Sequence, residues 1–264
     1  MIITIINQKG GTGKTTTAAA LLSYYHEKSR PVLAVDLDPQ CNLSLAMGAD
    51  TGKRSILGAL TGEADTITTI QSTQSGDCIA GSAALSAAES ILNSTGKEYR
   101  LREALETITG KYEHIIIDSP PALGVLSINA LTAADTVIIP CQADIFSIQG
   151  LKQLTDTIKQ VRKYCNPSLV IAGILLTRHN PRTVLGRDLQ AVLEREAAAL
   201  QTKVFTTPIR DSVIIKQAQA LQQGLFTLQG AAIDDYRAFI EEFEKGASLR
   251  PLLRGWREQR QRQR

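Results

Sequence analysis

Paired cysteines, long apolar runs and an export signal are all missing from this chain. Its four cysteines are scattered among 264 residues and form no C-x-x-C pair. We therefore expect neither a disulfide framework nor a zinc or iron–sulfur site. No apolar run approaches the ~20 residues that a membrane-spanning helix needs. The apolar start, residues 1–6, is too short for a signal peptide and has no basic leader. These absences predict a cytoplasmic protein.

Aromatic residues are also scarce, and the charge is nearly balanced. Aromatic residues make up 5% of the chain, charged residues 21% and apolar residues 43%, which is typical of a soluble globular protein. The length suits one large α/β domain that can bury a full core. Residues 246–264 are the exception, because six arginines and one glutamate give them a net charge of +5. Out of the total of +3, residues 1–245 therefore carry −2.

Short apolar, β-branched runs alternate with helical patterns along the chain. This alternation predicts an α/β fold with a single doubly wound, mostly parallel sheet and helices on both faces. The predicted strands are residues 2–6, 32–36, 115–118, 137–140 and 170–176, with a short candidate at 204–205. The predicted helices are residues 14–28, a segment around 151–161, 182–200 and 231–244. Residues 55–75 are weakly periodic and predict at most a short helix and a connector.

A glycine-rich loop with two lysines follows the first predicted strand and opens the first predicted helix. It reads Lys9-Gly10-Gly11-Thr12-Gly13-Lys14-Thr15-Thr16. Glycines let consecutive backbone N–H groups point into one concavity, which together with a helix N-terminus suits phosphate groups. Lys14 is predicted to reach the β- and γ-phosphates of ATP, and the Thr15 hydroxyl to bind Mg²⁺. The structural alternative is a strand–helix turn with a solvated lysine.

Lys9 departs from the standard phosphate loop. The pattern G-x-x-x-x-G-K-[ST] requires a glycine at position 8, where this chain has Gln8. A second lysine so close to Lys14 is costly unless a strongly anionic group separates the two. Lys9 is therefore predicted to meet phosphate, either on its own nucleotide or on one bound by a partner chain.

Carboxylates end two further predicted strands. Asp36 and Asp38 lie two residues apart, so they are expected to face the same way, toward the strand ends where ligands bind in open α/β sheets. The pair is predicted to orient an attacking water and brace Mg²⁺, with an Asp-Pro turn as the alternative. Asp118 follows an apolar strand in the form of a Walker B element and is predicted to hold Mg²⁺ through water. The loop over residues 119–124 suits sensing of the γ-phosphate.

These segments together resemble the ParA/Soj group of deviant-Walker ATPases, which are relatives of MinD. The resemblance runs essentially end to end and rests on residues 7–17, 35–43, 117–121 and, more weakly, 208–213. It implies a P-loop ATPase domain over residues 1–246 and a basic tail over residues 247–264. It also implies a dimer that closes around two ATP molecules, with Lys9 reaching across to the partner's phosphates.

The resemblance assigns a role to each site residue. Catalysis is assigned to Lys9, Lys14 and Asp38, with Asp38 positioning water. The Mg²⁺ shell is assigned to Thr15 and Asp118. The implied nucleotide-binding residues are Lys9, Gly10, Gly11, Thr12, Gly13, Lys14, Thr15, Thr16 and Pro208. Two departures, Cys41 for a common glycine and Ser119 for a common cysteine, exchange one small residue for another.

Members of this family bind DNA nonspecifically as ATP dimers, and a ParB-like partner stimulates their slow hydrolysis. The resemblance therefore implies a nucleoid-associated ATPase that moves plasmids, chromosomes or other cargo. The chain starts directly at its first strand, so the helix-turn-helix extension of larger plasmid relatives is not expected, nor is operator-specific autoregulation. The residues after Arg210 lack a further arginine that is common in the Soj branch, which leaves the DNA contacts open.

Basic residues are the candidate DNA contacts, since contacts to the phosphate backbone need charge and no base-reading geometry. Arg182 is the first candidate, followed by Arg210 and Lys216. Arg178, Arg187 and the tail arginines are further candidates. For each of them a solvated charged face is the alternative.

The tail allows other interpretations. Its large apolar residues are Leu249, Leu252, Leu253 and Trp256. They are spaced i, i+3, i+4 and i+7 between arginines, which is typical of an interfacial membrane helix like that of MinD relatives. Pro251 and Gly255 weaken that helix. Three interpretations of the tail stay open: it packs on the domain, assists DNA binding or binds a membrane.

Three functions of the whole chain also stay open. The favoured one is a DNA-partitioning ATPase, and the second is a MinD-like membrane-cycling positioning ATPase. The third is a metabolic enzyme or metal-cluster carrier on the same fold, and the scattered cysteines disfavour the cluster carrier.

Overall fold

A computed structural model of the chain describes residues 1–52, 54–179 and 184–248. Within that part of the chain a seven-stranded sheet has the order β3-β4-β2-β5-β1-β6-β7. All strand pairs are parallel except β3 with β4. The strands are β1 (Ile2–Ile5), β2 (Val32–Asp36), β3 (Ile70–Thr73), β4 (Gly76–Ile79), β5 (His114–Asp118), β6 (Thr136–Gln142) and β7 (Val170–Thr177). The predicted mostly parallel α/β sheet is confirmed.

The helices follow the strands in the alternation that the sequence predicts. They are α1 (Lys14–Glu27), α2 (Asn42–Ala46), α3 (Ile56–Thr61), α4 (Thr66–Thr69), α5 (Ala88–Ile91), α6 (Arg100–Glu106), α7 (Val125–Ala133), α8 (Ile145–Tyr164), α9 (Val184–Ala199), α10 (Val213–Ala220) and α11 (Ala231–Ser248). Helix α11 continues past its predicted end at residue 244 and across the proposed tail boundary at 246. Among the described helices, none combines the length and apolarity that crossing a bilayer requires.

The central strand β1 divides the core between the two faces of the sheet. Ile3 and Ile5 pack with Leu21 of α1 and Phe239 of α11 on one face. Ile2 packs on the opposite face, in a cluster that includes residues of α3, α6 and α7. Because side chains alternate along a strand, a strand covered by helices on both sides is mostly apolar. The one polar residue of β1, Thr4, is buried and donates from Oγ1 to Ala130 O at 3.0 Å.

The β3–β4 hairpin was not predicted. The sequence suggested at most a short helix and a connector over residues 55–75, whereas α3, α4 and β3 lie there and β4 follows directly. The hairpin carries polar side chains with local partners: Ser72 Oγ donates to Asp77 Oδ1 at 2.7 Å and Gln71 Nε2 donates to Asp50 O at 2.7 Å. An edge strand with one solvated face lacks the continuous apolar run that marks the central strands.

The short strand candidate at residues 204–205 is an isolated bridge between Val204 and Ile174. The segment over residues 204–210 runs alongside β7 and makes a second isolated bridge, between Arg210 and His179. This arrangement brings residues 207–210 to the carboxyl end of β7.

An ionic cluster joins the loop after α1 to β5 and α11. Arg30 donates to both carboxylate oxygens of Glu113, at 3.0 and 2.6 Å, and also to Glu244. The Nε2 atom of His114 lies 2.7 Å from Nη2 of Arg30, and the His114 ring stacks on the ring of Tyr25 with centroids 3.9 Å apart. Burial, followed by the charge of Arg30, lowers the pKa of His114 to about 3.

We predict that the free energy of unfolding decreases as the pH falls below about 6.5. The unfolded histidine has a pKa of ~6.5 and takes up a proton that the folded protein excludes until the pH approaches 3. The depressed pKa therefore stabilises the fold fully above pH 6.5, and that stability is lost as the pH falls toward 3. Between pH 7 and pH 4.5 the loss from His114 should be roughly 2 kcal/mol. Denaturant unfolding of wild type and the His114→Gln variant at both pH values measures it.

The exposed His26 provides the matched control for this experiment. The His26→Gln variant should keep the wild-type pH dependence, and His114→Gln should flatten it. Equal pH dependence in His114→Gln and wild type would assign the effect to other groups.

Candidate functional site

The loop between β1 and α1 has the backbone that a phosphate loop requires. Gly11 and Gly13 have φ values of +74° and +89°, a left-handed conformation that residues with a Cβ rarely adopt. Gly13 is the N-cap of α1 and no side chain caps the helix there, so N–H groups of its first turn are available to an anion. A Cβ at Gly10 or Gly11 would meet no atom within 4 Å. The loop therefore borders open space and fits a phosphate chain.

Buried Asn7 ties the start of this loop to the neighbouring strand. Its Nδ2 donates to Pro140 O of β6 at 2.6 Å, and its Oδ1 accepts from the backbone N of Lys9 at 3.0 Å. Asn7 has no exposed surface. It therefore fixes the backbone of Lys9 independently of where the lysine side chain points.

Two further side chains hold the middle of the loop. Gln142 at the end of β6 donates from Nε2 to Gly11 O at 2.7 Å. Thr177 at the end of β7 donates from Oγ1 to Thr12 O at 2.8 Å. Sequence reasoning missed both residues. The signal that could have found them is a polar residue that ends a buried strand, since the carboxyl ends of parallel strands share one edge.

Lys14 lies inside the loop, and its contact with the β- and γ-phosphates stays a prediction. Its side chain is buried, and its Nζ donates to the backbone carbonyl of Lys9 at 3.3 Å. Burial lowers its pKa, and the charges of Asp118 and Asp38 oppose that shift. An ammonium held in low-dielectric surroundings interacts strongly with any phosphate that enters.

Thr15 and Asp118, the predicted Mg²⁺ residues, meet in the structure. Thr15 Oγ1 donates to Asp118 Oδ2 at 2.6 Å. Asp118 is fully buried, and its Oδ1 accepts no hydrogen bond from any described residue. Burial and then the nearby charge of Asp36 raise its pKa. A buried oxygen without a partner is costly, and a hydroxyl with a carboxylate suits Mg²⁺, which keeps several waters and binds phosphates. These residues therefore fit the ion.

Asp36 and Asp38 have different surroundings. The carboxylate of Asp36 is fully buried and accepts from Ser44 N at 2.9 Å, Ser44 Oγ at 2.7 Å and Asp38 N at 3.1 Å. Burial raises its pKa. Asp36 therefore holds the β2–α2 loop in shape. That the pair orients water and braces Mg²⁺ stays a prediction. Asp38 lies beyond the strand end, where its Oδ1 accepts from Gln40 N at 3.0 Å.

The predicted γ-phosphate loop, residues 119–124, is held at both ends. Ser119 is buried and donates from Oγ to Ile5 O of β1 at 2.9 Å. At the other end the N–H of Val125, the first residue of α7, donates to Glu89 Oε1 at 2.5 Å. Glu89 therefore caps α7. No spacing pattern connects these two residues, which are 36 positions apart, and sequence reasoning missed the contact.

Lys9 contacts its own subunit. Its Nζ lies 2.6 Å from Asp144 Oδ2, and both side chains are 31% exposed. The two lysines of the loop therefore point to different surroundings, Lys14 into the buried loop and Lys9 to the rim. Pro208 lies at the carboxyl end of β7, because the next residue, Ile209, donates its N–H to Leu176 O at 2.8 Å. Its role in nucleotide binding stays a prediction.

Two candidate DNA contacts are paired with carboxylates. Arg210 donates from Nε and Nη2 to the two oxygens of Asp235 at 2.7 and 2.8 Å. Arg178 lies 3.3 Å from Asp211 in an exposed ion pair. Asp235 is 9% exposed, so Arg210 neutralises a nearly buried charge and is poorly suited to leave it for DNA.

The remaining DNA candidates lie outside the described structure. Arg182 and the tail residues 249–264 are not among the described residues, and neither are the side chains of Arg187 and Lys216. The assignment of DNA contacts to these residues stays a prediction from the sequence.

Comparison with known proteins shows the family. Residues 1–171 match the model described as an AAA domain. The sporulation initiation inhibitor protein Soj of Bacillus subtilis (strain 168) is 39% identical over 222 residues, which are 82% of this chain and 87% of that protein. The chromosome partitioning protein ParA of Caulobacter vibrioides (strain NA1000 / CB15N) is 38% identical over 250 residues, 91% of this chain and 92% of that protein.

A solved structure shares the whole architecture. The structure of cobyrinic acid a,c-diamide synthase from Mycobacterium smegmatis, with a bound ATP analog and magnesium, has a TM-score of 0.81 and 33% identity, and the match covers 94% of each chain. The family model covers more than half of this chain, and the two relatives exceed one third identity over most of its length. With its two-lysine loop at the carboxyl edge of a mostly parallel sheet, the chain belongs to the ParA/Soj family of P-loop ATPases.

Proposed function

We propose that this ATPase uses ATP and Mg²⁺ to partition DNA or position cargo in the cytoplasm, and that it binds nonspecific DNA on the nucleoid as an ATP-closed dimer. The observation that carries the proposal is the divergence of the two lysines. Lys14 is buried in the loop, whereas Lys9 lies half-exposed at its rim. A lysine at the rim is placed to meet phosphate that arrives from outside the subunit. The name of the relative ParA, a chromosome partitioning protein, supports partitioning as the role.

Each site residue has a part in hydrolysis. Phosphoryl transfer depends mainly on positioning and charge stabilisation, and bound Mg²⁺ supplies charge neutralisation at the phosphates. Thr15 and Asp118 hold the ion, and Lys14 stabilises the β- and γ-phosphates from inside the loop. Asp38 orients the attacking water. Lys9 of each subunit completes the site of the other, so hydrolysis requires the dimer and a ParB-like activator acts on that state.

A metabolic role is the second candidate, and the match to a protein named as a synthase favours it. The higher identity to the partitioning protein ParA, 38% against 33% for the synthase, favours partitioning. The membrane-cycling alternative depends on tail residues outside the described structure. ATP hydrolysis without a second substrate, stimulated by a ParB-like partner, would separate partitioning from synthesis.

Lys9→Ala is predicted to bind nucleotide and fail to dimerise. The substitution removes the rim ammonium and leaves the interior of the loop intact, because Asn7 holds residue 9 through its backbone. Sizing chromatography with a nonhydrolysable ATP analogue should show a wild-type dimer and a monomeric variant. Lys203→Ala, which removes a lysine that pairs with Glu242, is the control and should dimerise. A Lys9→Ala protein that dimerises and hydrolyses ATP normally would refute the cross-subunit role.

Asp38→Ala is predicted to accumulate the ATP-bound dimer. The change removes the water-orienting carboxylate without altering the phosphate loop, so hydrolysis should fall about 10²–10⁴-fold while ATP still binds. Single-turnover hydrolysis and equilibrium binding measure the two effects. Asp36→Asn is the contrast, because it weakens local hydrogen bonds and should lower the stability of the fold. Normal hydrolysis by Asp38→Ala, or loss of ATP binding, would give Asp38 another role.

DNA binding by the ATP dimer is predicted to be nearly independent of sequence and steeply dependent on salt. For Z phosphate contacts, the slope of log K against log salt is about −0.9Z. Arg182→Ala removes two contacts from a symmetric dimer, so it should flatten the slope by about two units without changing ATP hydrolysis. Arg195→Ala removes the same charge from an exposed position on α9 and should leave the slope unchanged.

Removal of residues 249–264 tests the tail and leaves α11 whole. If DNA binding survives this truncation and binding to anionic vesicles disappears, the tail binds membranes and the MinD-like function gains support. If random-sequence DNA is bound neither with ATP nor without it, the partitioning proposal fails.

A further inference from the structure

Asp144, which lies immediately before α8, makes two kinds of contact with one carboxylate. Its Oδ1 accepts from the N–H of Ser147 at 2.9 Å, and its Oδ2 accepts from Ser147 Oγ at 2.9 Å. These bonds cap the N-terminus of the 20-residue helix. The same Oδ2 accepts from Lys9 Nζ at 2.6 Å. Sequence reasoning did not single out Asp144.

The charge of this carboxylate is maintained by its partners. Burial alone would raise the pKa of Asp144, but the bonds from Lys9 and Ser147 outweigh it and hold the pKa below the ordinary value. The side chain is therefore ionised at neutral pH. Lys9 has a full counter-charge within its own subunit.

The backbone of Lys9 is fixed while its side chain is at the rim. Its N–H donates to Asn7 Oδ1 at 3.0 Å, and its carbonyl accepts from Lys14 Nζ and Thr12 Oγ1, each at 3.3 Å. Rotation of the lysine side chain can therefore change the partner of the ammonium without disturbing the phosphate loop. Asp144 is likewise held, because its N–H donates to the carbonyl of Gln142 at 2.9 Å.

We propose that Asp144 acts as an intramolecular latch, which stores Lys9 on its own subunit and competes for it with the phosphates of a nucleotide in the partner subunit. The inference rests on the cross-subunit role of Lys9 in the proposed function. Two Lys9–Asp144 ion pairs, one in each subunit, must break when a dimer forms. The strength of the ion pair therefore affects the concentration of ATP-bound protein at which dimers form. An acidic residue at this position opposes dimerisation while it stabilises α8.

The strength of the ion pair suits a latch. A half-exposed ion pair shifts an equilibrium by only about two- to five-fold. A triphosphate carries several negative charges, so it outcompetes one carboxylate for the ammonium. The phosphates of the partner's nucleotide can therefore displace Asp144 from Lys9, whereas the ion pair still opposes dimerisation when no nucleotide is bound.

Asp144→Asn tests the latch, because asparagine is also a good N-cap but carries no charge to hold Lys9. With a nonhydrolysable ATP analogue, the protein concentration at half-maximal dimerisation should fall about 4- to 25-fold, since two latches of about two- to five-fold each are removed per dimer. Analytical ultracentrifugation measures this concentration. If Asp144 had a purely structural role, the substitution would lower the stability of the fold and would not tighten the dimer.

Two variants serve as controls, one for the helix cap and one for the lysine. Ser147→Ala removes the hydroxyl contact and leaves the Lys9–Asp144 ion pair, so its dimerisation should match wild type. Lys9→Ala combined with Asp144→Asn should not dimerise, because the gain requires the lysine.

The outcomes separate the latch from the function on which it rests. Tighter dimerisation of Asp144→Asn alone supports the latch. If wild type dimerises, Lys9→Ala does not, and Asp144→Asn matches wild type, the latch is overturned and the proposed function stands. If neither wild type nor Asp144→Asn dimerises with the ATP analogue, both fail.

Discussion

Burial of charge at the carboxyl edge of the sheet is the constraint on which the site depends. The Lys14 ammonium lies near the carboxylates of Asp118 and Asp38, Asp36 lies near Asp118, and none of the four residues is more than 8% exposed. Buried charges are costly unless they are paired or hydrogen-bonded. Ser44 compensates Asp36, but Asp118 keeps one oxygen without a described partner. The excess of negative charge favours a divalent cation, which is why the residues suit Mg²⁺ with a nucleotide.

The rigidity of the phosphate loop allows its two lysines to act differently. Side chains from the end of β1, from β6 and from β7 hold the loop backbone, so Lys14 stays inside while the Lys9 side chain can change partners. In the proposed cycle this separates nucleotide binding, which one subunit performs alone, from dimerisation. Asp144 connects the second step to α8, because the carboxylate that pairs with Lys9 also caps that helix.

Long-range contacts are where sequence reasoning failed. Glu89 and Val125 are 36 residues apart, and Lys9 and Asp144 are 135 apart. Neither pair has a periodic or motif spacing, so only the packing of α5 against α7, and of the β6–α8 loop against the phosphate loop, reveals them. The hairpin of β3 and β4 was missed for a related reason, since an edge position does not demand apolar side chains on both faces. The bonds of Asp36 to Ser44 were not predicted, because Ser44 belongs to a short helix that no pattern predicted.

The sequence by itself determined the class of fold, the phosphate loop and the family. Apolar strands buried on both faces, glycines at left-handed positions and a strand that ends in Asp118 are local requirements, and local requirements are visible in the order of residues. The tertiary structure alone decided which partners the buried carboxylates have and which carboxylate Lys9 contacts. It also showed that Arg210 is already paired with Asp235. Those outcomes depend on burial and on partners brought together from distant segments, and neither is encoded in the spacing of residues.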